Sequence, residues 1–345
     1  ICIRDILGRE IESIFSLLGD AHTYVSAYYA EPHFLKYINV HNEAGDDLTK
    51  INGICIEDLF KSKSGYYSYE REDCGIAALY QDISMLEGMT YLGFNLDDGV
   101  EYTYESEDGK EITHIVYSDD FLNWNDYMSY NNLEENSNED KSFVRYKVDK
   151  EHNLAILYLD ECKNNKEYRK VLKKMFTEIK EKNILNVAVD LRFNGGGDSS
   201  VATEFIRYLN VEEYKEWADI WRLGIFKFKN SAHTERNKKI NHLLFDGNVY
   251  ILTSKDTFSS AMDFAMYIKD NHFGTVIGEA SGNNPNSYGM ISSFKLPNSE
   301  LYMQISTKKW YRLDTETTDT FIEPDIKCDS QDALKEVYKI CSQEE

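Results

Sequence analysis

The stretch Val187-Ala-Val-Asp-Leu-Arg-Phe-Asn-Gly-Gly-Gly197-Asp198 runs from an apolar segment into three consecutive glycines and then into a helical pattern from Val201. An unbroken apolar run such as Val187 to Val189 predicts a strand covered on both faces. Three glycines after it let backbone N–H groups approach a ligand closely, or form a nest for a developing negative charge. The spacing is neither G-x-G-x-x-G nor a G-K-[ST] ending, so a phosphate cradle fits poorly. A plain strand-to-helix turn is the alternative.

Outward from this segment, strands and helices alternate. Leu154 to Leu159 and Ile184 to Leu191 read as strands, and Tyr168 to Lys182 and Val201 to Leu209 as helices. Ile220 to Phe228, Val249 to Thr253 and Thr275 to Ile277 read as further strands, with a helix over Ala261 to Asp270. Such alternation predicts an α/β layer with largely parallel strands. Ser292 to Leu296 and Leu301 to Ser306 flank Pro297-Asn298-Ser299 as a hairpin. Upstream, Ile6, Ile11, Ile14, Phe15 and Leu18 mark an amphipathic helix ending at Gly19. Turn signals at Asn52-Gly53, Asp98-Gly99 and Asp108-Gly109 predict a small, mostly β module with one or two helices. Asn131 to Lys141, polar and rich in Asn and Glu, reads as a linker. The expected organisation is a helical segment over 1–30, a β-rich module over 31–145 and an α/β domain over 146–345.

Composition narrows the function. Sixty acidic against 38 basic side chains give a formal charge of -22, which repels phosphate backbones and excludes a nucleic-acid partner. No apolar run approaches the roughly 20 residues of a membrane-spanning helix. Cys2, Cys55, Cys74, Cys162, Cys328 and Cys341 are scattered without CxxC spacing, so free thiols are expected. No histidine pair has zinc-ligand spacing such as H-E-x-x-H, so neither metal nor cofactor is expected. Ile1 is not an initiator methionine and a helix begins at once, so a preceding segment is expected; secreted, membrane-anchored and cytoplasmic locations all stay open.

A second segment, Val249-Tyr-Ile-Leu-Thr-Ser-Lys-Asp-Thr-Phe-Ser-Ser260-Ala-Met-Asp263, again passes from strand through a small-residue turn into a helix. It can present a hydroxyl at the carboxyl edge of a parallel sheet beside helix-start N–H groups. It is not a G-x-S-x-G elbow, and Ser259 or Ser260 could equally be a helix N-cap.

Taken with Val276-Ile-Gly-Glu279 and Glu323-Pro-Asp-Ile326, these segments resemble the C-terminal-processing (tail-specific) serine peptidases and the tricorn protease core. The resemblance implies an α/β catalytic domain of the layered ClpP/crotonase kind, preceded by a PDZ-like module. Leu48-Thr-Lys-Ile-Asn-Gly-Ile-Cys-Ile-Glu57 looks like a degenerate fragment of that module. It implies Ser260 as nucleophile, three places before Asp263, and Ala261 and Gly196 as oxyanion donors, with Gly195 the near alternative. The family's Lys has no counterpart in Gly278 to Asn286, whereas Gly19-Asp20-Ala21-His22-Thr23 matches the D-x-H-T segment of the tricorn-like branch, which implies His22 as base. Imidazole suits that task because its charge changes near neutral pH. The third member falls among Asp314, Glu316, Asp319 and Glu323, with Glu316 and Asp319 favoured. Lys308 and Lys309 read as strand edge rather than as replacements for the Lys. Gly195, Gly197, Asn284 and Asn286 are candidate substrate contacts, since loops dense in Gly, Asn and Ser often shape a cleft.

The expected partner is thus a peptide or unfolded protein, cleaved by a serine endopeptidase. The alternatives are an inactive peptidase-fold protein that binds peptides or small apolar ligands, and a hydrolase with paired carboxylates. The acid surplus permits the last, although no pair stands at a defined spacing.

Overall fold

The computed structural model describes residues 2–26, 29–36, 41, 45–106, 108–133 and 142–343. Most of the polar linker over 131–141 lies outside them, as does Ile1. Two compact units form: Ile1–Asp140 with Ile291–Ser306, and Lys141–Met290 with Thr307–Glu345.

The second unit is built on a six-stranded sheet. Across it run Ile326–Lys327, Thr275–Gly278, Asn248–Thr253, Asn186–Asp190, Leu154–Leu159 and Val144–Asp149. All neighbours are parallel except the last pair. Spatial order is sequence order, so every parallel crossover steps the same way. Right-handed crossovers then put their helices on one face. Core packing agrees: Leu157, Val189, Ile251 and Val276 cluster with Phe176, Phe205 and Phe264 from the helices Lys166–Lys182, Ser200–Ile206 and Ser260–Asp270. Leu154, Ile156, Ala188, Leu252 and Ile277 point the other way, against Ala333, Val337 and Cys341 of the helix Ala333–Gln343. With both faces covered, the inner parallel strands carry no polar alternation, unlike the antiparallel edge strand Val144–Asp149, and the expected α/β layer is what forms.

One strand-like run resolves differently. Ile220 to Phe228 folds as an antiparallel hairpin, Ala218–Leu223 against Phe226–Asn230, outside the parallel sheet. Gly224, at φ +57°, turns the chain where a β-carbon would be strained.

The first unit contains an antiparallel sheet ordered Ile54–Cys55, Asp47–Ile51, Val100–Glu105, Glu111–Val116. Helices Ile56–Lys63, Glu72–Ile83, Leu86–Leu92 and Trp124–Tyr130 make it more helical than its turn signals suggest. Tyr102 and Tyr104 of the sheet are fully buried with Phe60, Leu79 and Met89.

The N-terminal helix Ile3–Ser16 buries Asp5, Arg9 and Glu12, while Ile6 and Ile14 are exposed. Only Ile11 and Phe15 of the apolar positions pack inward, on Val25, Leu301 and Met303. The inversion follows from what the polar groups bind. Arg9 pairs with buried Asp82, which also accepts from the hydroxyls of Tyr67 and Tyr29. Glu12 accepts the Val25 N–H at 2.7 Å and Asp5 the Ala30 N–H at 3.1 Å. Removing one partner of a buried pair strands the other charge. Arg9→Ala should therefore destabilise the first unit by roughly 3–5 kcal/mol, read as a lower urea midpoint.

Candidate active site

Ser260 opens its helix at the carboxyl end of Asn248–Thr253, which lies beside Asn186–Asp190 in the sheet. Neighbouring parallel strands deliver their following loops to the same edge, so the Ser260 turn and the glycine turn meet. Among the bonds that fasten them, Thr257 Oγ1 donates to Leu191 O at 2.9 Å, the Phe258 N–H to Asn194 O at 3.0 Å, and Ser254 Oγ to Arg192 O. At Gly196 a β-carbon would lie 2.7 Å from Ser259 Cβ, and at Gly197 2.3 Å from Cys162 O. Both glycines also have positive φ, +106° and +133°. Both the close approach and the backbone conformation require glycine here.

Ser259 itself sits at φ +54°, ψ −124°, a strained conformation for a residue with a side chain. Its N–H donates to Asn283 Oδ1 at 2.7 Å, and the Asn283 side chain is wholly buried. Ser281, also buried, holds that loop by accepting from the Ile322 N–H and donating to Asn283 O.

The Ser260 side chain is only 3% exposed. Its hydroxyl donates to Gly197 O at 2.8 Å and lies 2.8 Å from Ser199 Oγ, which donates to Asp263 Oδ2 at 2.8 Å. Ala261 donates its N–H to Phe258 O at 3.1 Å, and Gly196 its N–H to Asn194 Oδ1 at 2.9 Å. Gly195 and Gly197 are exposed.

His22 belongs to the first unit. Its N–H donates to Asp20 Oδ1 at 2.9 Å, and its Nδ1 lies 3.7 Å from the same oxygen. Thr23 Oγ1 donates to Asp20 Oδ2 and accepts the Ser306 N–H at 3.0 Å, while Gln304 Nε2 donates to His22 O at 2.9 Å. The strand Tyr24–Ser26 then pairs antiparallel with Tyr302 to Gln304. Burial raises the Asp20 carboxyl, but hydrogen bonds from His22, Thr23 and Ser306 outweigh it and hold the group below its ordinary range. Asp20, His22 and Glu70 bring polar atoms within 4.8 Å of one another, close enough to orient an imidazole or to hold a metal ion.

Of the remaining candidates, Glu316 and Asp319 lie exposed in the second unit. Asp319 lines a cavity of about 770 Å³ with Lys269, Asp270 and Gly274. It therefore lies near the carboxyl end of the helix that Ser260 begins, about 15 Å away along an 11-residue helix. Asn284 Oδ1 accepts the Asn286 N–H and Asn286 Oδ1 the Arg312 N–H, so both amides shape the loop. Reading the sequence passed over Asn283, Ser199 and Glu70. Asn283 sits in the Asn-rich loop already singled out, but its pattern does not separate it from Asn284. Ser199 has the position of a helix N-cap, with its hydroxyl committed elsewhere. Glu70 has no local signal.

The sequence signature of peptidase family S41 matches residues 153–328, just over half of the chain and spanning the glycine turn, Ser260 and the Pro324-Asp325 segment. The chain belongs to peptidase family S41. It is a serine-type peptidase. Mature CPAF complexed with lactacystin has a similar fold, with TM-score 0.63 and 10% identity over 99% of this chain and 87% of that one. Mature CPAF alone gives 0.63 and 11%, over 99% and 86%. The photosystem II D1 C-terminal processing protease gives 0.47 and 12%, over 96% and 84%. No curated protein matches the chain.

Two outcomes test this geometry. Asn283→Ala leaves the Ser259 N–H without its acceptor, so the second unit should lose about 1–3 kcal/mol in denaturant titrations. Because the Asp20 carboxyl is held low, its contribution is complete above the ordinary value of 3.8 and is lost as pH falls through the lower folded value. Asp20→Asn should thus lower the melting temperature at pH 7, with the gap to the parent closing in acid below that value.

Proposed function

We propose that the chain is an endopeptidase that cleaves extended or unfolded polypeptides through an acyl-enzyme on Ser260, with His22 as general base. The observation that carries this reading is Ser260 itself, a hydroxyl at a helix start, packed against a glycine turn with no room for a β-carbon at Gly196 or Gly197. Ser260 Oγ attacks the peptide carbonyl carbon as His22 takes its proton. The oxyanion is received by the N–H groups of Ala261 and Gly196, with Gly195 the alternative. Collapse expels the amine, which takes the proton from His22, and water activated by the same imidazole releases the acid. His22 and Ser260 come from different units, so the reaction requires both to be presented to one peptide bond. For the orienting carboxylate we favour Asp20, already on the His22 N–H and 3.7 Å from Nδ1, over Glu316 and Asp319.

The hydrogen bonds described above are a resting arrangement on this reading. Rotation of the Ser260 side chain away from Gly197 O frees the hydroxyl, and the incoming oxyanion competes with Asn194 Oδ1 and Phe258 O for the two N–H groups. Those same internal bonds favour the second reading, an inactive peptidase fold that binds peptides without cleaving them.

Turnover of an unfolded protein and labelling by a fluorophosphonate separate the two. Ser260→Ala should abolish both, and His22→Ala should lower kcat/KM by about a thousandfold or more, with the double variant little worse than either single one. Full activity of Ser260→Ala rules out the nucleophile, and wild-type protein that binds peptide but neither labels nor cleaves selects the binding reading.

A further inference from the structure

The hairpin Ala218–Leu223/Phe226–Asn230 concentrates positive charge in a chain whose formal charge is -22. Arg222 stands directly opposite Lys227, and Ile220 stands between Lys229 on one side and Lys309 of the strand Tyr302–Tyr311 on the other. Cross-strand partners share a face, so Arg222, Lys227, Lys229 and Lys309 form one basic strip across three strands. Arg222, Lys227 and Lys229 are exposed, and among the described residues none of the three forms an ion pair. Like charges placed directly opposite oppose folding, so the fold gains nothing from the Arg222–Lys227 pairing. The other face is fixed by Trp221 stacked on Phe228, with centroids 4.2 Å apart.

Phe226–Asn230 is also the end of its sheet, and all five of its residues are exposed. Its outward N–H and C=O groups are therefore available to an added strand. Lysines on an edge strand commonly prevent aggregation. That role needs charge on the edge strand alone, whereas this strip continues inward to Arg222 and Lys309.

We propose that this edge is an exosite that takes an extended acidic peptide segment as an added strand, its backbone pairing with Phe226–Asn230 and its carboxylates meeting the basic strip. Recognition of this kind joins main-chain hydrogen bonds to charge complementarity. The free edge favours an extended peptide over nucleic acid or an anionic membrane, because only a peptide brings backbone N–H and C=O groups that pair with it. The occupant deepens the peptidase reading by naming a substrate class, and so rests on it.

Binding, rather than turnover, is the readout. A fluorescein-labelled peptide alternating Glu with Val and Tyr is titrated by anisotropy into the full chain carrying Ser260→Ala. The same is done with a Lys-for-Glu peptide and with an acidic peptide N-methylated at alternate backbone positions. The acidic peptide should bind, more tightly at low salt, and the other two should bind about tenfold or more weakly. Combined Arg222→Glu, Lys227→Glu and Lys229→Glu should impose a similar loss while keeping the edge charged against aggregation. Equal binding of acidic and basic peptides, indifference to N-methylation, or unchanged affinity after charge reversal overturns the exosite. So does sedimentation showing that the strip instead joins two copies of the chain. If the wild type proves unable to hydrolyse any peptide, the binding result stands by itself; if it cleaves acidic-flanked and basic-flanked substrates with equal kcat/KM, the exosite fails and the peptidase stands.

Discussion

At Gly196 and Gly197 there is no room for one more carbon. A β-carbon would lie within 2.7 Å of Ser259 at the first and 2.3 Å from the Cys162 carbonyl at the second. That closeness lets two loops from neighbouring parallel strands share bonds, and it holds Ser259 in a conformation a side chain rarely adopts. The order of the sheet serves this meeting. Strands laid down in sequence order send consecutive loops to adjoining positions on one edge.

The two units reach rigidity by different chemistry. In the second, aliphatic and aromatic side chains cover both sheet faces. In the first, an inside-out helix uses Asp5, Arg9 and Glu12 to hold the chain that follows it, including the strand after His22. Hydrogen bonds fix direction as well as position, which suits the role proposed for His22.

The α/β layer was legible because buried parallel strands leave an unmistakable mark: Leu154 to Leu159 and Val187 to Val189 have no polar alternation to confuse with anything else. The glycine turn was legible because tight turns restrict residue type, whereas Ser260 was singled out by the resemblance of its segment to serine peptidases. Where the reading fell short, the deciding interaction was long-range. The exposure of Ile6 and Ile14 depends on Asp82 and Val25, and the single strand read over Ile220 to Phe228 needed Gly224 to be weighed as a turn. Asn283 and Ser199 act through bonds to residues 24 and 61 positions away, which no local pattern records.

The placement of all three crossover helices on one face also bears on how the protein is made. The opposite face, with Leu154, Ile156, Ala188 and Leu252, waits for Ala333–Gln343, the last element described. A nascent chain that has already emitted every earlier described strand and helix still carries an uncovered apolar surface, and chaperones would be expected to stay engaged until the ribosome has delivered that helix.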